Sequence, residues 1–401
     1  MYSNFDSLKF TVRFAKNFQE IKNAIELICR SFPLSYKDLM YRQKSWLNSI
    51  PDDFQKKNFI LAVDDENVVI GVLHIAKRTL VIGKVKATIL TTNDFCIDKS
   101  KINDRNFAPI FFEKGLKILE KLNYPFIMGN ARKKLENFYY WYGFTSCNSY
   151  NRIEIEKLDY SVLQNNAVIK KKFNLKLSNI YEKFRLEIFS NEWNFFLRNK
   201  NFWNYINLFI KKKKYYFLEV YIKNKIIGFA IIKKKNQIID FGIKKNNESI
   251  FFGSLFNYLL NNDDSKITLY ISSESPVLKK LGLSHLSYFS RRVPDEGYVA
   301  KVLNPISMVN LFCRVFSKNF FSNNKIVKKF IRFQTKGLEF KIDKNKKLIP
   351  KFRVDELTKF NKIELLNVLF FGVNNKLSIY KLKNYKNNKI KYFNISEIEA
   401  I

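Results

Sequence analysis

Asn137-Phe138-Tyr139-Tyr140-Trp141-Tyr142-Gly143-Phe144 is the stretch on which the reading of the fold turns. It is crowded with rings, runs as a helix through Tyr142, and is followed by a strand pair to about Ile155. Upstream, Phe126 to Met128 reads as a short strand after Tyr124-Pro125, and Gly129-Asn130 leads toward the aromatic helix. Further back, Ile110, Phe111, Leu116 and Leu119 recur at helical spacing over Phe107 to Leu122. The polar stretch Asp98 to Asn106 separates that helix from a long β-rich run, Ala87 to Ile97. Phe59 to Val63 and Val68 to Ile75, divided by Asp64-Asp65-Glu66-Asn67, read as an antiparallel hairpin. Lys37 to Ser49 reads as a helix ended by Pro51. At the amino terminus Leu8 to Phe14 alternates at period two, then Phe18, Ile21, Ala24, Ile25 and Ile28 mark an amphipathic helix.

This β-α-α-β-β-β-α-β-α-β order resembles the GNAT N-acyltransferase superfamily. The aromatic stretch is similar to that superfamily's closing FY…GF signature, and Asn93-Asp94-Phe95-Cys96-Ile97-Asp98 is similar to its central strand. Gly129-Asn130 fits the approach to the last helix. The resemblance covers roughly residues 8 to 155. It departs from the family in one loop: the superfamily carries an Arg/Gln-x-x-Gly-x-Gly turn whose backbone N–H groups cradle the CoA pyrophosphate at a helix amino terminus. Here the corresponding Lys101-Ile102-Asn103-Asp104-Arg105-Asn106-Phe107-Ala108 has no glycine. Asn tolerates positive φ, so Asn103 and Asn106 are expected to form a nest, with Arg105 meeting phosphate directly and Asp104 opposing it.

The resemblance implies acetyl-CoA as co-substrate, an amine acceptor and no metal. It assigns cofactor binding to the main chain at Phe95, Cys96 and Ile97, to Asn103, Arg105, Asn106, Phe107 and Ala108, and to Asn130. Tyr139 matches the Tyr that protonates the departing thiolate; the competing reading is a ring packed in the core. For the base, Asp94 is the choice, with Glu136 as a neighbour that stays open. His74, alone on a strand, reads as structural, and Cys96, with no His near it, as a small buried hydrophobe.

Residues 156 to 295 repeat the theme without FY…GF or a glycine-rich loop. Leu175 to Phe189, Asn199 to Ile210 and Ser249 to Leu260 read as helices; Tyr215 to Ile222, Ile226 to Ile232, Gln237 to Ile243 and Lys266 to Ile271 read as strands. After Pro294 the pattern changes to a helix at Ile306 to Phe316, a β-rich run at Lys336 to Ile342, and a helix at Lys362 to Phe371 closed by Gly372. The whole resembles tandem-GNAT acetyltransferases of the enhanced-intracellular-survival type, which end in a sterol-carrier-like domain. The tail Asn394 to Ile401 does not look like that family's aromatic ending. The expectation is an α+β (mixed α/β) protein: a first GNAT fold over 1–155, a second and degenerate one over 156–295, and a sterol-carrier-like domain over 296–401.

Length and composition agree with several packed domains. The chain has 401 residues, of which 46% are hydrophobic and 16% aromatic, too apolar for a disordered chain. No apolar run approaches the ~18 residues of a membrane span, and the amino terminus does not read as a secretory signal, so a cytoplasmic protein without membrane contact is expected. Cys29, Cys96, Cys147 and Cys313 form no CxxC pair, and His74 and His285 are the only histidines, which argues against zinc and disulfides. The 71 Lys and Arg against 36 Asp and Glu give +35. The surplus is Lys, spread along the chain beside abundant Asn, Ile and Phe, a pattern genome composition explains without a nucleic-acid ligand. Lys211 to Lys214 and Lys233 to Lys235 are the local clusters. Self-association stays open. Alternatives to an N-acetyltransferase are a GNAT scaffold that binds a partner without turnover and a Fem-type aminoacyl transferase using charged tRNA.

Overall fold

In a computed structural model of the chain the described residues are 9–82, 85–131, 135–146, 151–157, 166–189, 194–212, 215–233, 236–262, 266–271, 287–292, 297–322, 331–332, 339–342, 345 and 347–371. Cys147, His285, Lys213, Lys214, Lys234, Lys235, Gly372 and the tail from Asn394 lie outside them, as does the side chain of Glu136.

The first segment runs β1 (Phe10–Phe14), α1 (Phe18–Ser31), α2 (Tyr36–Ser49), two 3-10 turns (Pro51–Phe54 and Lys56–Asn58), β2 (Phe59–Asp64), β3 (Val69–Ile82), β4 (Val85–Ile97), α3 (Phe107–Glu120), β5 (Phe126–Ala131), α4 (Glu136–Trp141) and β6 (Thr145–Ser146). Local chemistry fixes the ends of these elements. Asn17 caps α1 by accepting from the Glu20 N–H at 2.9 Å, while Glu20 accepts from the Lys16 N–H at 2.7 Å and pairs with Arg13. Ser35 caps α2 through the Asp38 N–H. The β2–β3 hairpin forms as the sequence implies, with Asn67 taking φ 62° in its turn. β3 continues well beyond Ile75, so β3 and β4 form one long antiparallel ribbon paired from Gly71↔Ile97 to Ile82↔Val85.

The second segment contains β7 (Asn151–Lys157), β8 (Val168–Lys172), α5 (Ser178–Phe189), β9 (Asn194–Phe196), α6 (Lys200–Lys211), β10 (Tyr216–Ile222), β11 (Lys225–Lys233), β12 (Gln237–Ile243), α7 (Glu248–Asn262), β13 (Ile267–Ile271) and β14 (Ser287–Arg292). The third adds β15 (Gly297–Val302), α8 (Pro305–Ser322), β16 (Ile331–Arg332), β17 (Glu339–Ile342), β18 (Leu348–Pro350) and α9 (Lys359–Phe371). Its described part is a three-stranded antiparallel sheet, β16-β17-β18, beside two helices.

Two large sheets carry the architecture. The first has the order β1-β2-β3-β4-β5-β15-β6, with β9 added against the far end of β3. The second has the order β14-β7-β13-β12-β11-β10-β8. The strand pair that the sequence places at the end of the first segment is therefore divided: β6 stays, while β7 crosses to the second sheet between β13 and β14. In exchange β15, which follows the second sheet in the chain, returns to the first sheet between β5 and β6.

Cores follow from this exchange. On one face of the first sheet, Phe107, Phe111, Phe112, Leu116 and Leu119 of α3 pack on Ile60, Leu73, Leu90 and Ile127. The opposite face shares one core with the second segment, where Ile28, Trp46 and Phe59 join Trp203, Tyr205, Ile206 and Phe229. Met308, Phe312 and Val315 of α8 and Leu365, Leu366 and Leu369 of α9 close over Ile89, Phe126 and Tyr298.

Candidate active site

β4 and β5 are parallel neighbours, but they pair only over Leu90–Thr92 with Ile127–Gly129. Beyond that register Asp94 to Ile97 pair with β3 alone among the described residues, and the two strands part. The β3–β4 register also shifts here: His74 faces Asp94 and Ile75 faces Thr92, which leaves Asn93 as an extra residue bulged out of the ladder. Gly129 makes the close approach just before the split workable. A Cβ at that position would stand 2.3 Å from the Thr92 hydroxyl.

A pocket opens at the split. Thr91, Thr92 and Asn93 line it from β4, and Met128, Gly129 and Asn130 from β5. Trp46 and Ile50 form one side of it and Arg78 another. The opposite wall comes from the second segment: Phe196, Leu197, Arg198, Phe202 and Tyr205, with Tyr298 of the exchanged strand β15 completing it. An outer cleft bounded by Asp52, Asp53, Lys57 and Lys77 shares Arg78, Leu197, Arg198 and Phe202 with this pocket and leads outward. The sequence reading identified only Asn130 of these lining residues, and assigned it to the cofactor. The bulge at Asn93 and the wall from 196 to 205 were missed, because neither leaves a local pattern.

The two predicted catalytic residues lie on opposite faces of the sheet. Alternation along β4 sends Phe95 toward α3, where it stacks on Phe111 at 5.6 Å and meets Phe138 at 6.2 Å. Tyr139 lies on that face, 8% exposed, with its ring against Phe112, Phe138 and Phe144. Burial pushes its phenol up to about 12, so it stays protonated at neutral pH. Its ring thus packs in the core, and no described residue hydrogen-bonds its hydroxyl. Gly143 ends α4 at φ 83°, and the Lys301 ammonium donates to the Tyr142 carbonyl at 2.9 Å, which holds this short helix in place.

Asp94 faces the other way, toward α2. Arg42 pairs with it at 2.8 Å and Gln43 donates to it at 3.1 Å. His74 Nδ1 stands 3.7 Å from the same Asp94 oxygen that Gln43 bonds, Oδ2, and His74 Nε2 lies 2.9 Å from the Asp53 carbonyl. Burial alone would raise the Asp94 carboxyl, but the Arg42 charge and the His74 and Gln43 contacts outweigh it and bring the group down to about 2. A carboxylate this acidic is ionised throughout the neutral range and is a poor acceptor for an amine proton. His74 is fully buried and stacked on Phe59 at 4.4 Å. Cys96 follows Asp94's face; burial pushes its thiol up to about 12, so it remains a neutral thiol.

The loop before α3 differs from the nest expected of it. No described residue between 101 and 106 has positive φ, and Asn106 sits at φ −83°, ψ −13°. Asp104 instead folds back: its carboxylate accepts from the Asn106 N–H at 2.8 Å, and its carbonyl from the Phe107 N–H at 3.3 Å. The chain's own carboxylate thus holds one of the donors that a phosphate would use. Pro109 has no N–H, so Ala108 supplies the remaining donor of the first turn. Asn103 and Arg105 are exposed beside it.

Among the described residues no cluster of three His, Cys, Asp or Glu is placed to hold a metal, and no helix is long and apolar enough to cross a membrane. No protein-family model and no characterised protein matches the chain by sequence. Solved structures do match it. A GCN5-related N-acetyltransferase from Anabaena variabilis is similar with a TM-score of 0.58 at 14% identity, over 75% of this chain and 74% of that one. Another from Kribbella flavida gives 0.56 at 10% identity, over 77% and 74%. Eis1 from Mycobacterium abscessus gives 0.55 at 10% identity over 86% of this chain and 85% of that one, so the likeness extends into the third segment. With the split between β4 and β5 and the bulge at Asn93, the chain has the fold of the GCN5-related N-acetyltransferases.

Proposed function

We infer that the protein is an acyl-CoA-dependent N-acetyltransferase whose acceptor is the amine of a small polar molecule. The observation that carries this reading is the split itself: a sheet edge with unpaired backbone groups opens directly onto a pocket that shares its wall with the outer cleft. The acetyl thioester of acetyl-CoA lies in the gap, where N–H groups of β4 beyond Thr92 polarise its carbonyl. The pantetheine arm runs toward α3, and its phosphates meet Ala108, Asn103 and Arg105. The amine is held on the pocket side of Asn93 and Asn130.

Attack forms the C–N bond and breaks the C–S bond. The amine proton passes to water in the outer cleft, and the thiolate takes a proton from Tyr139, which is restored from solvent. The burial that raises the phenol also raises a thiolate formed beside it, so the two remain matched. Asp94 serves this scheme as a positioning group: its pair with Arg42 fixes β4 one residue after the bulge.

A second reading, a scaffold that binds without turnover, has one observation in its favour, the Asp104 carboxylate at the α3 amino terminus. Parallel calorimetric titrations with acetyl-CoA, CoA and tRNA separate the classes. Saturable binding of acetyl-CoA followed by thiol release with an amine supports the enzyme. Binding without release supports the scaffold, and no saturation at millimolar acetyl-CoA overturns the enzyme. Tight tRNA binding alone would support the Fem-type transferase.

A further inference from the structure

Among the described residues Arg78 and Arg198 line the inner pocket and no carboxylate does. Arg78 brings a guanidinium that is partly exposed, whereas the Arg198 side chain is 1% exposed and paired with its own acid. Asp53 takes both terminal nitrogens of Arg78, at 2.9 and 2.8 Å, and reaches only the outer cleft. Asp240, nearly fully buried, pairs with Arg198 and lies 3.6 Å from the Arg185 Nε. A molecule in the inner pocket therefore meets Arg78 without meeting Asp53.

Arg78 is fixed for this. Arg78 spends three of a guanidinium's five N–H groups, two on Asp53 and one on the Lys77 carbonyl, and it stands over the Trp46 ring at 6.0 Å. Two of its donors remain, on a side chain 17% exposed. Arg198 is clamped between Asp240 and the rings of Phe202 and Trp203. A preset planar donor such as Arg78 recognises a carboxylate, while a polycationic amine would find no carboxylate in the inner pocket among the described residues. Trp46, Phe202, Tyr205 and Tyr298 offer apolar faces in the same pocket. The Tyr205 hydroxyl is a further donor: it lies buried without a hydrogen-bond partner among the described residues.

We propose that the acceptor is a small amine that also bears a carboxylate and an apolar group, of the chemical class of an apolar α-amino acid, with its carboxylate on Arg78 and its amine toward the split at Asn93. This rests on the acetyltransferase reading for what happens to the amine, but not for what the pocket binds.

The test uses the full chain and three probes: phenylalanine, phenylalaninamide and spermidine. Each is titrated by calorimetry in the presence and absence of CoA, and thiol release from acetyl-CoA is followed with each. Phenylalanine is expected to bind, and to be acetylated, with a preference over its amide of about 10- to 100-fold, the range of a charge-assisted hydrogen bond. Arg78→Gln should weaken phenylalanine and leave the amide nearly unchanged, so that the preference shrinks; a merely structural loss would weaken both alike. Equal binding of phenylalanine and its amide, a preference for spermidine, or binding of none of the three while CoA binds would overturn the proposal. Phenylalanine binding in a protein that ignores CoA would instead sustain the pocket chemistry and overturn the acetyltransferase reading.

Discussion

Replacing Asp94 by Asn separates a positioning role from a catalytic one. In the folded chain the carboxyl lies at about 2 against an ordinary value of 3.8, and at 1.36 kcal/mol per unit its charge contributes about 2 kcal/mol of stability at neutral pH. Asn keeps the shape and the bond from Gln43 but leaves Arg42 without its counter-charge. Because the Arg42 side chain is 18% exposed it can lean toward solvent, so the cost belongs at or below the low end for a broken buried pair, about 2–3 kcal/mol. The sign of the pH dependence follows from the direction of the shift. A depressed carboxyl stabilises fully above its unfolded value and loses that contribution as pH falls through its folded one. Urea unfolding of wild type and Asp94→Asn should thus differ by a constant amount from pH 7 to about pH 5. About half of the charge term should be gone at pH 3, with the gap closing further toward pH 2. At neutral pH the folded variant should keep kcat within roughly threefold, since losing a true general base costs about 10²–10⁴. Unchanged stability together with a hundredfold fall in kcat would refute this reasoning and restore Asp94 as the base.

Tyr139→Phe should lower kcat about 10²-fold or more with little change in acetyl-CoA affinity, because only the proton source is removed; a fall in melting temperature instead would mark a structural hydroxyl. Asp104→Ala should tighten acetyl-CoA binding in calorimetry by returning the Asn106 N–H to the phosphate, whereas Arg105→Ala should weaken it by roughly 1.5–3 kcal/mol; unchanged affinity in both would place the phosphates elsewhere. Gly129→Ala should force β4 and β5 apart at Thr92 and abolish turnover, and Thr92→Ala in the same chain should recover part of it, since the clashing atom is the Thr92 hydroxyl. Binding to tRNA or duplex DNA at physiological salt should be weak and indifferent to sequence; a complex tighter than about 10⁻⁸ M in a salt titration would contradict that.

What could be read from the sequence was local. The β2–β3 hairpin announced itself through two β-rich runs around Asp64 to Asn67, and α1 and α3 through apolar positions at helical spacing. Phe138 to Phe144 gave the aromatic helix and its glycine end. What could not be read depends on partners distant in the chain. Nothing in Asn151 to Lys157 says that its neighbours are β13 and β14, and nothing in Gly297 to Val302 says that they are β5 and β6, because alternation reports a strand's faces and not its edges. The site was half legible for the same reason. Asp94, Phe95 and Tyr139 fell on the right elements, but their division between two faces required the β4 pleat and its bulge at Asn93. Arg78 and Arg198 carried no sequence signal, since each becomes distinctive only when Asp53 and Asp240 are folded behind it.

The exchange of β7 and β15 also sets a timetable for synthesis. The first sheet keeps β5 without its neighbour β15 until Val302 has left the ribosome, long after Ala131. At ~5–20 residues per second that interval lasts roughly 10–35 s. During it the β5 edge stays unpaired beside the apolar residues that α8 and α9 later cover, an aggregation hazard that folding domain by domain from the amino terminus would avoid. The nascent chain must therefore hold its first sheet open and complete both sheets late and nearly together, which makes translation rate and chaperone supply part of what determines its yield.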